Sequence, residues 1–336
     1  MSSTKKTTFA LVVIASLVAL ACMFAVSMIF GAKDTSVRDV WLALTSRASG
    51  ENLTVLRELR LPRETAGMIV GAALGVAGAV MQGLTRNPLA DPGLIGLSAG
   101  ANAALAFSIA MMPSIGYFGT MVACFVGAAA GAVLVLGIGA VRRGGGGMSP
   151  IRMVLAGSAV SAFLYAVAEG IGLAFKISKS VSMWTAGGLI GTTWEQVRTI
   201  APFIALGTLA AIVLGRALTL LSANEEAAIG LGLRTGQIKF VLYAAVIVLT
   251  GAAVALIGNM AFVGLMIPHI VRFIVGTDYR KVVPMSAIVG AFFMLAADTI
   301  SRTAIAPYEA PMASVIAMMG LPFFLFIVRK GVKTTP

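Results

Sequence analysis

The sequence predicts an all-α polytopic membrane protein of about ten transmembrane helices, on three observations. Of its 336 residues, 59% are hydrophobic and only 11% charged, with a mean hydropathy of +0.97. Soluble domains are about half apolar and about a quarter charged, and no soluble fold of this length hides the difference. The charges also fall between long apolar windows rather than within them. A helix crosses a bilayer core about 30 Å thick with about 20 apolar residues, and the windows have that length or more. Finally, glycine recurs at three- and four-residue spacing inside them, as in Gly71, Gly75 and Gly78, in Gly93, Gly96 and Gly100, and in Gly127 and Gly131. Small faces of this kind let helices approach closely in lipid, and they also permit sliding or tilting.

Taken in order, the windows Lys6 to Lys33, Glu64 to Arg86 and Glu309 to Arg329 each fit one crossing. Asp91 to Arg142 holds two, split at Pro113 to Gly116. Arg152 to Lys176 is interrupted only by Glu169, and Lys281 to Arg302 only by Asp298. Arg198 to Arg216 extends to about Leu221. The window from Lys239 to Arg272 is too long for one crossing and too short for two of about 20 residues. It predicts a full helix to about Ile257, a tight Gly258-Asn259 turn and a short helix ending near Gly276.

Ten spans put both termini on one side. With that side cytoplasmic, most of the basic residues fall inside, against the acids Asp91, Glu225, Glu226 and Asp278, as the positive-inside rule requires. The net charge of +12 is thus a topology signal: it forms no patch that a nucleic acid would need. Cys22 and Cys124 each stand in an apolar run and are expected as small buried hydrophobes, with no disulfide or thiolate metal site. Lys5 and Lys6 before an apolar run to Cys22 imitate a lipoprotein signal, but the run continues to Phe30 and is expected as a retained first span.

The stretch from Leu59 to Gly100 carries an arginine-bearing entry, LRLPR, a glycine-rich helix, the turn NPLADPG and a second glycine-rich helix. Asn87 and Asp91 in the turn are placed to cap the helix after it, on the cytoplasmic side. Gly71-Ala72-Ala73, Gly78 and Pro88 recur as Gly251-Ala252-Ala253, Gly258 and Pro268. The two copies run oppositely across the membrane, as in transporters with inverted repeats, although a chain so rich in Gly and Ala produces such matches by chance.

The longest polar stretch on the cytoplasmic side is residues 221–239. Ser222 followed by Glu225 reads as a capping box, with Gly230 and Gly232 stopping a helix of about two turns. A capped helix in a loop reads as a docking element. No catalytic constellation is present: the single histidine, His269, follows Pro268, and a phosphate-cradling GxxxxGK[ST] loop is absent, so any ATP is bound by another chain. Glu169 and Asp298 are carboxylates inside spans, in the outer parts of their helices, and are functional or interfacial by default.

LRLPR, GAALGVAGAVMQGLTRNPLADPG, the EEAAIGLG loop, AFVGLMIPHIVR and the terminal MGLPFFLFIVRKG together resemble the FecCD-type permeases of ABC importers, over residues 9 to 332. The resemblance implies a BtuC-like (type II) permease fold: one transmembrane domain over 1–336, with a cytoplasmic coupling loop at 222–239 and external segments at 34–60 and 176–198. It implies a subunit that is not an enzyme, in the bacterial cytoplasmic membrane. Expected partners are a second permease subunit, identical or not, two copies of an ATPase that uses ATP and Mg, and an external substrate-binding (lipo)protein. No cofactor of its own and no nucleic acid are expected. The cargo is expected to be an iron(III)-siderophore of hydroxamate type, with vitamin B12 or haem as alternatives. An ion-coupled secondary transporter, working without partners, is the competing class. By position, Arg60 and Arg302 match the external arginines that dock the binding protein's carboxylates, with Arg63 structural. Ser222, Glu225, Glu226, Ala227, Gly230, Gly232 and Arg234 match the ATPase-coupling loop, although the downstream residues of the wider EAA pattern are missing. Ser158, Ser161 and Tyr165 are expected to line the pathway, with a gate at Met148, Ser149 and Pro150.

Overall fold

In the computed structural model, residues 3–31, 35–46, 50–140, 150–306 and 308–330 are described, and among them the chain is helical apart from one isolated bridge between Ile305 and Tyr308. The first span is α1 (Ser3–Ile29), followed by two short helices, α2 (Val37–Thr45) and α3 (Glu51–Val55). A π-helical turn, Leu56–Arg60, runs from α3 into α4 (Leu61–Thr85). Next come α5 (Leu97–Met111), α6 (Tyr117–Ala140), α7 (Pro150–Ala174), the short α8 (Ser178–Thr185) and α9 (Trp194–Val213). Then α10 (Gly215–Ala223) and α11 (Glu225–Gly230) lead into α12 (Thr235–Ile257), α13 (Val263–Val275), α14 (Tyr279–Thr303) and α15 (Met312–Lys330).

Among the described residues, seven helices are long and apolar enough to cross a membrane, and Leu97–Met111, Val263–Val275 and Met312–Ile327 are shorter apolar helices. These coincide with the ten expected spans. The α12–α13 window divides as its length predicts: Gly258, at φ +74°, stops α12 and α13 has 13 residues.

At the centre stands α4, packed against α14, α13, α12 and α9. Its glycines set the spacing. A Cβ at Gly71 would overlap the carbonyl oxygen of Gly290 in α14, and one at Gly78 would overlap that of Gly264 in α13. Gly100 and Gly127 bring α5 and α6 together in the same way. Contact this close rewards dispersion between backbones, the main attraction left when lipid is as apolar as the side chains.

Pro268 lies inside α13 and has no N–H to give the carbonyl four residues earlier. The buried Gln82 of α4 compensates, donating from Nε2 to the carbonyls of Gly264 (3.3 Å) and Leu265 (3.1 Å) while its Oε1 accepts from Arg272. The sequence repeat does not carry into local structure. Gly78 is inside a helix whereas Gly258 ends one, and Pro88 lies in a turn whereas Pro268 lies in a helix. Cys124 is buried as expected, but Cys22 is exposed on α1, which presents most of its surface outward.

Candidate functional site

Polar groups gather at the two ends of the bundle and on one face of α7. At the first end, α10 and α11 project a helical elbow. The N-cap of α11 is Asn224, whose Oδ1 accepts from the backbone N–H groups of Glu226 (2.8 Å) and Ala227 (3.1 Å). This corrects the capping box assigned to Ser222 and Glu225. Ser222 belongs to α10, where its hydroxyl donates to the carbonyl of Thr219. A Ser on a helix's last turn bonds backward along it, so the free donors of α11 fall to the next polar residue.

The glycine stop is as expected. Gly232 is left-handed at φ +81°, its N–H bonds Ile229 O (2.8 Å), and Leu233 N–H bonds Ala228 O (3.1 Å), a Schellman closure. Glu225 pairs with Arg86 at the end of α4 (2.7 Å) and with Lys239 of α12. The Lys239 hydrogen bond, with Arg86 beside it, holds the Glu225 carboxyl below its ordinary range. Glu226, Ala227, Gly230 and Arg234 are exposed. Ile229 and Leu231 are 56% and 69% exposed. A capped, anchored helix that presents two aliphatic side chains outward is built for contact with another surface.

At the other end the structure corrects the expectation of two rim arginines. Arg302 is in the last turn of α14 and is 3% exposed; Arg60 is 8% exposed. Both are spent on the free carbonyls that end α1. Arg60 Nη1 donates to Met28 O (2.6 Å), Ile29 O (3.2 Å) and Thr35 Oγ1 (3.1 Å), and Arg302 Nη2 to Ser27 O (3.3 Å). A guanidinium at a helix C-terminus meets both its orphan acceptors and its negative dipole end.

Arg302 also pairs with Glu64 (2.6 Å) and Asp298 (3.0 Å), both fully buried. Arg63, read as structural, carries the chain onward. It makes a two-pronged pair with Asp298 and another with Glu309, at 2.8 Å each. The alternation Glu309–Arg63–Asp298–Arg302–Glu64 joins α4, α14 and the segment before α15. Sequence reasoning found Asp298 through its place in a span but missed Glu64 and Glu309, whose only signal was the matching number of acids and arginines in LRLPRE, DTISR and YE.

On α7, Ser158 is exposed, and Ser161 and Tyr165 are half-buried. Of the three expected lining residues, the open face therefore presents Ser158. It also presents Glu169. Pro150 opens α7, while Met148 and Ser149 lie outside the described residues. His269 packs edge-on against Phe273 (5.2 Å) and Phe323 (6.0 Å). Among the described residues, no group of three or more His, Cys, Asp or Glu is placed to hold a metal ion.

The bundle, the elbow and the buried network are consistent with a transport subunit, and comparison with known proteins decides which kind. Residues 17–330 match the FecCD transport family. The chain belongs to the FecCD transport family. Among FecCD relatives, it is 39% identical to the iron(3+)-hydroxamate import system permease protein FhuB of Bacillus subtilis, over 97% of this chain and 85% of that one. It is 35% identical to the ferric enterobactin transport system permease protein FepD of Escherichia coli, over 99% of both. A solved metal-chelate type ABC transporter, in an inward-facing conformation, shares the fold at a TM-score of 0.82 and 24% identity, covering 95% of this chain and 99% of that one. As a FecCD member, the chain is a multi-pass permease subunit of the bacterial cell membrane, a transport component rather than an enzyme.

Proposed function

We propose that this permease imports an iron(III)-siderophore of the hydroxamate class, passed to it by an external binding protein and driven by a separate ATPase. The α10–α11 elbow carries the reading: it is capped at both ends, fastened to α4 and α12 through Glu225, and exposes Ile229 and Leu231. On this reading the elbow faces the cytoplasm and seats in an ATPase that uses ATP and Mg. The segment around α2 and α3 then faces the binding protein, with both termini cytoplasmic. Two subunits, of this chain or of this chain and a relative, enclose a pathway along α7. Closure of the ATPases moves the elbows and rocks the subunits, and the chelate passes between them. No cofactor of this chain takes part.

With Arg60 and Arg302 engaged inside the subunit, docking by the binding protein falls to exposed groups such as Arg38, Glu58 and Lys179. Rim charges of this sort guide encounter and register. The siderophore reading is supported by relatives that import ferric hydroxamate, ferric citrate and ferric enterobactin.

The test uses iron-starved cells that lack the gene and carry it on a plasmid. Uptake of a radiolabelled ferric trihydroxamate is expected to depend on the chain. The pair Ile229→Asp and Leu231→Asp is expected to abolish co-purification of the ATPase and with it uptake. Chain-dependent uptake of haem or cobalamin instead would overturn the cargo, and uptake that survives loss of the ATPase would favour an ion-coupled carrier.

A further inference from the structure

Building on the reading of α7 as a wall of the pathway, we infer that Glu169 makes that pathway selective by ligand charge, passing neutral and cationic ferric trihydroxamates and retarding anionic chelates. Glu169 stands five residues before the outer end of α7 at Ala174, about 8 Å along the helix at 1.5 Å per residue. Its side chain is exposed and has no hydrogen bond or ion pair among the described residues. Ala156 and Val160 on the opposite face of the helix are buried, as are Ala168 and Gly172 to one side of Glu169, where α7 packs against α5, α6 and α8.

Two carboxylates deep within other spans are handled differently. Glu64 and Asp298 are fully buried and paired with Arg302, and Asp298 also with Arg63. A carboxylate left unpaired against acyl chains carries a heavy desolvation cost. One held unpaired on the open face of a spanning helix therefore marks a face that meets water. Around it that face carries the small residues Ser158, Ala162, Ala166 and Gly170 and the exposed apolar side chains of Leu155 and Leu173, so the carboxylate is the charged group that a passing solute meets. No basic residue occurs in α7 between Arg152 and Lys176, and the cations Lys176 and Lys179 lie beyond the end of the helix.

In a pair of identical subunits, two such carboxylates face one pathway. Three hydroxamates, each a monoanion, leave ferric iron neutral. Three catecholates, each a dianion, leave a trianion that two glutamates repel, and a pendant amine turns the neutral complex into a cation that they attract.

The experiment uses the full importer, permease with its ATPase and binding protein, in two arms. First, in a background with Cys22→Ala and Cys124→Ala, S158C and E169C are exposed to a charged, membrane-impermeant thiol reagent, and both are expected to react. Failure of both would overturn the reading of α7 as a wall, and the inference with it. Second, uptake is measured for one ferric trihydroxamate core bearing a free amine, an acetylated amine or a succinylated amine, so that metal chelation is constant and only charge varies. The cationic-to-neutral uptake ratio is expected to fall about fivefold in E169Q, the size of one unit-charge interaction in a watery channel, and the cationic-to-anionic ratio by more; both are expected to fall further in E169K and to persist in E169D. An unchanged ratio in E169Q and E169K, with both thiols still reactive, would overturn charge selection while leaving the pathway intact.

Discussion

Arg302 shows how a residue's chemistry is decided by what surrounds it. A guanidinium near the outer end of a span can read a partner's carboxylate or satisfy its own protein's acceptors. Here it pairs with Glu64 and Asp298 and caps α1 through Ser27 O. Among the described residues, Glu64 Oε2 has no hydrogen-bond partner, so this carboxylate depends heavily on Arg302. Removing one partner of a buried pair costs about 3–5 kcal/mol, because the other charge is stranded, whereas removing both is often close to neutral. Arg302→Met is therefore expected to lower the unfolding midpoint in detergent markedly. The double variant Arg302→Met with Glu64→Gln is expected to regain more than half of that loss, as read by thermal unfolding of the purified subunit. A double variant as unstable as the single one would show that Glu64 is not the stranded charge.

Among the elements, α4 organises the bundle through backbone contact, and its glycines are not equivalent to glycines elsewhere. At Gly78 a Cβ has no room beside Gly264, whereas at Gly137 in α6 nothing lies within 4 Å of the added atom. Gly78→Ala must push α4 and α13 apart, an overpacking cost of about 1–3 kcal/mol, and it also strains the Gln82 bonds to the carbonyl that Pro268 leaves free. Gly137→Ala relieves a flexible helix position and is expected to stabilise by about 0.5–1 kcal/mol. Opposite shifts in thermal midpoint are the expected outcome, and equal shifts would show that the α4–α13 contact is not tight. The glycine spacing was legible in the sequence, but which glycines are in contact was not. Gly71 and Gly290 are far apart in the chain, and only packing brings them together.

At the scale of the molecule, Glu225 joins three parts: the end of the central helix α4, the elbow helix α11 and the start of α12. Because Lys239 and Arg86 hold its carboxyl below the ordinary range, its contribution is complete above the unfolded value near 4.3. It is lost as pH falls through the lower folded value. Both partners are partly solvated, so the effect is local, not global. Amide hydrogen exchange over residues 225–238 is expected to quicken as pH drops below about 4, after correction for intrinsic rates. In Glu225→Gln it is expected to be already fast at neutral pH and flat with pH. A wild-type profile in the variant would show that the elbow is held by its caps alone.

The amino-acid sequence by itself determined the class, the count and order of the spans, the short α13 and the glycine stop of α11. These follow from hydropathy, helix length and local backbone chemistry, which act over a few residues at a time. The family was also legible, because its motifs are runs of adjacent residues. Tertiary structure alone decided the fate of the charges. Arg60 and Arg302 turned inward to acceptors at the end of α1, Asn224 rather than Ser222 took the cap, and Glu169 was left without a partner among the described residues. A charged side chain is placed by the nearest unmet donor or acceptor in space, and in a bundle that neighbour usually comes from a helix distant in the chain.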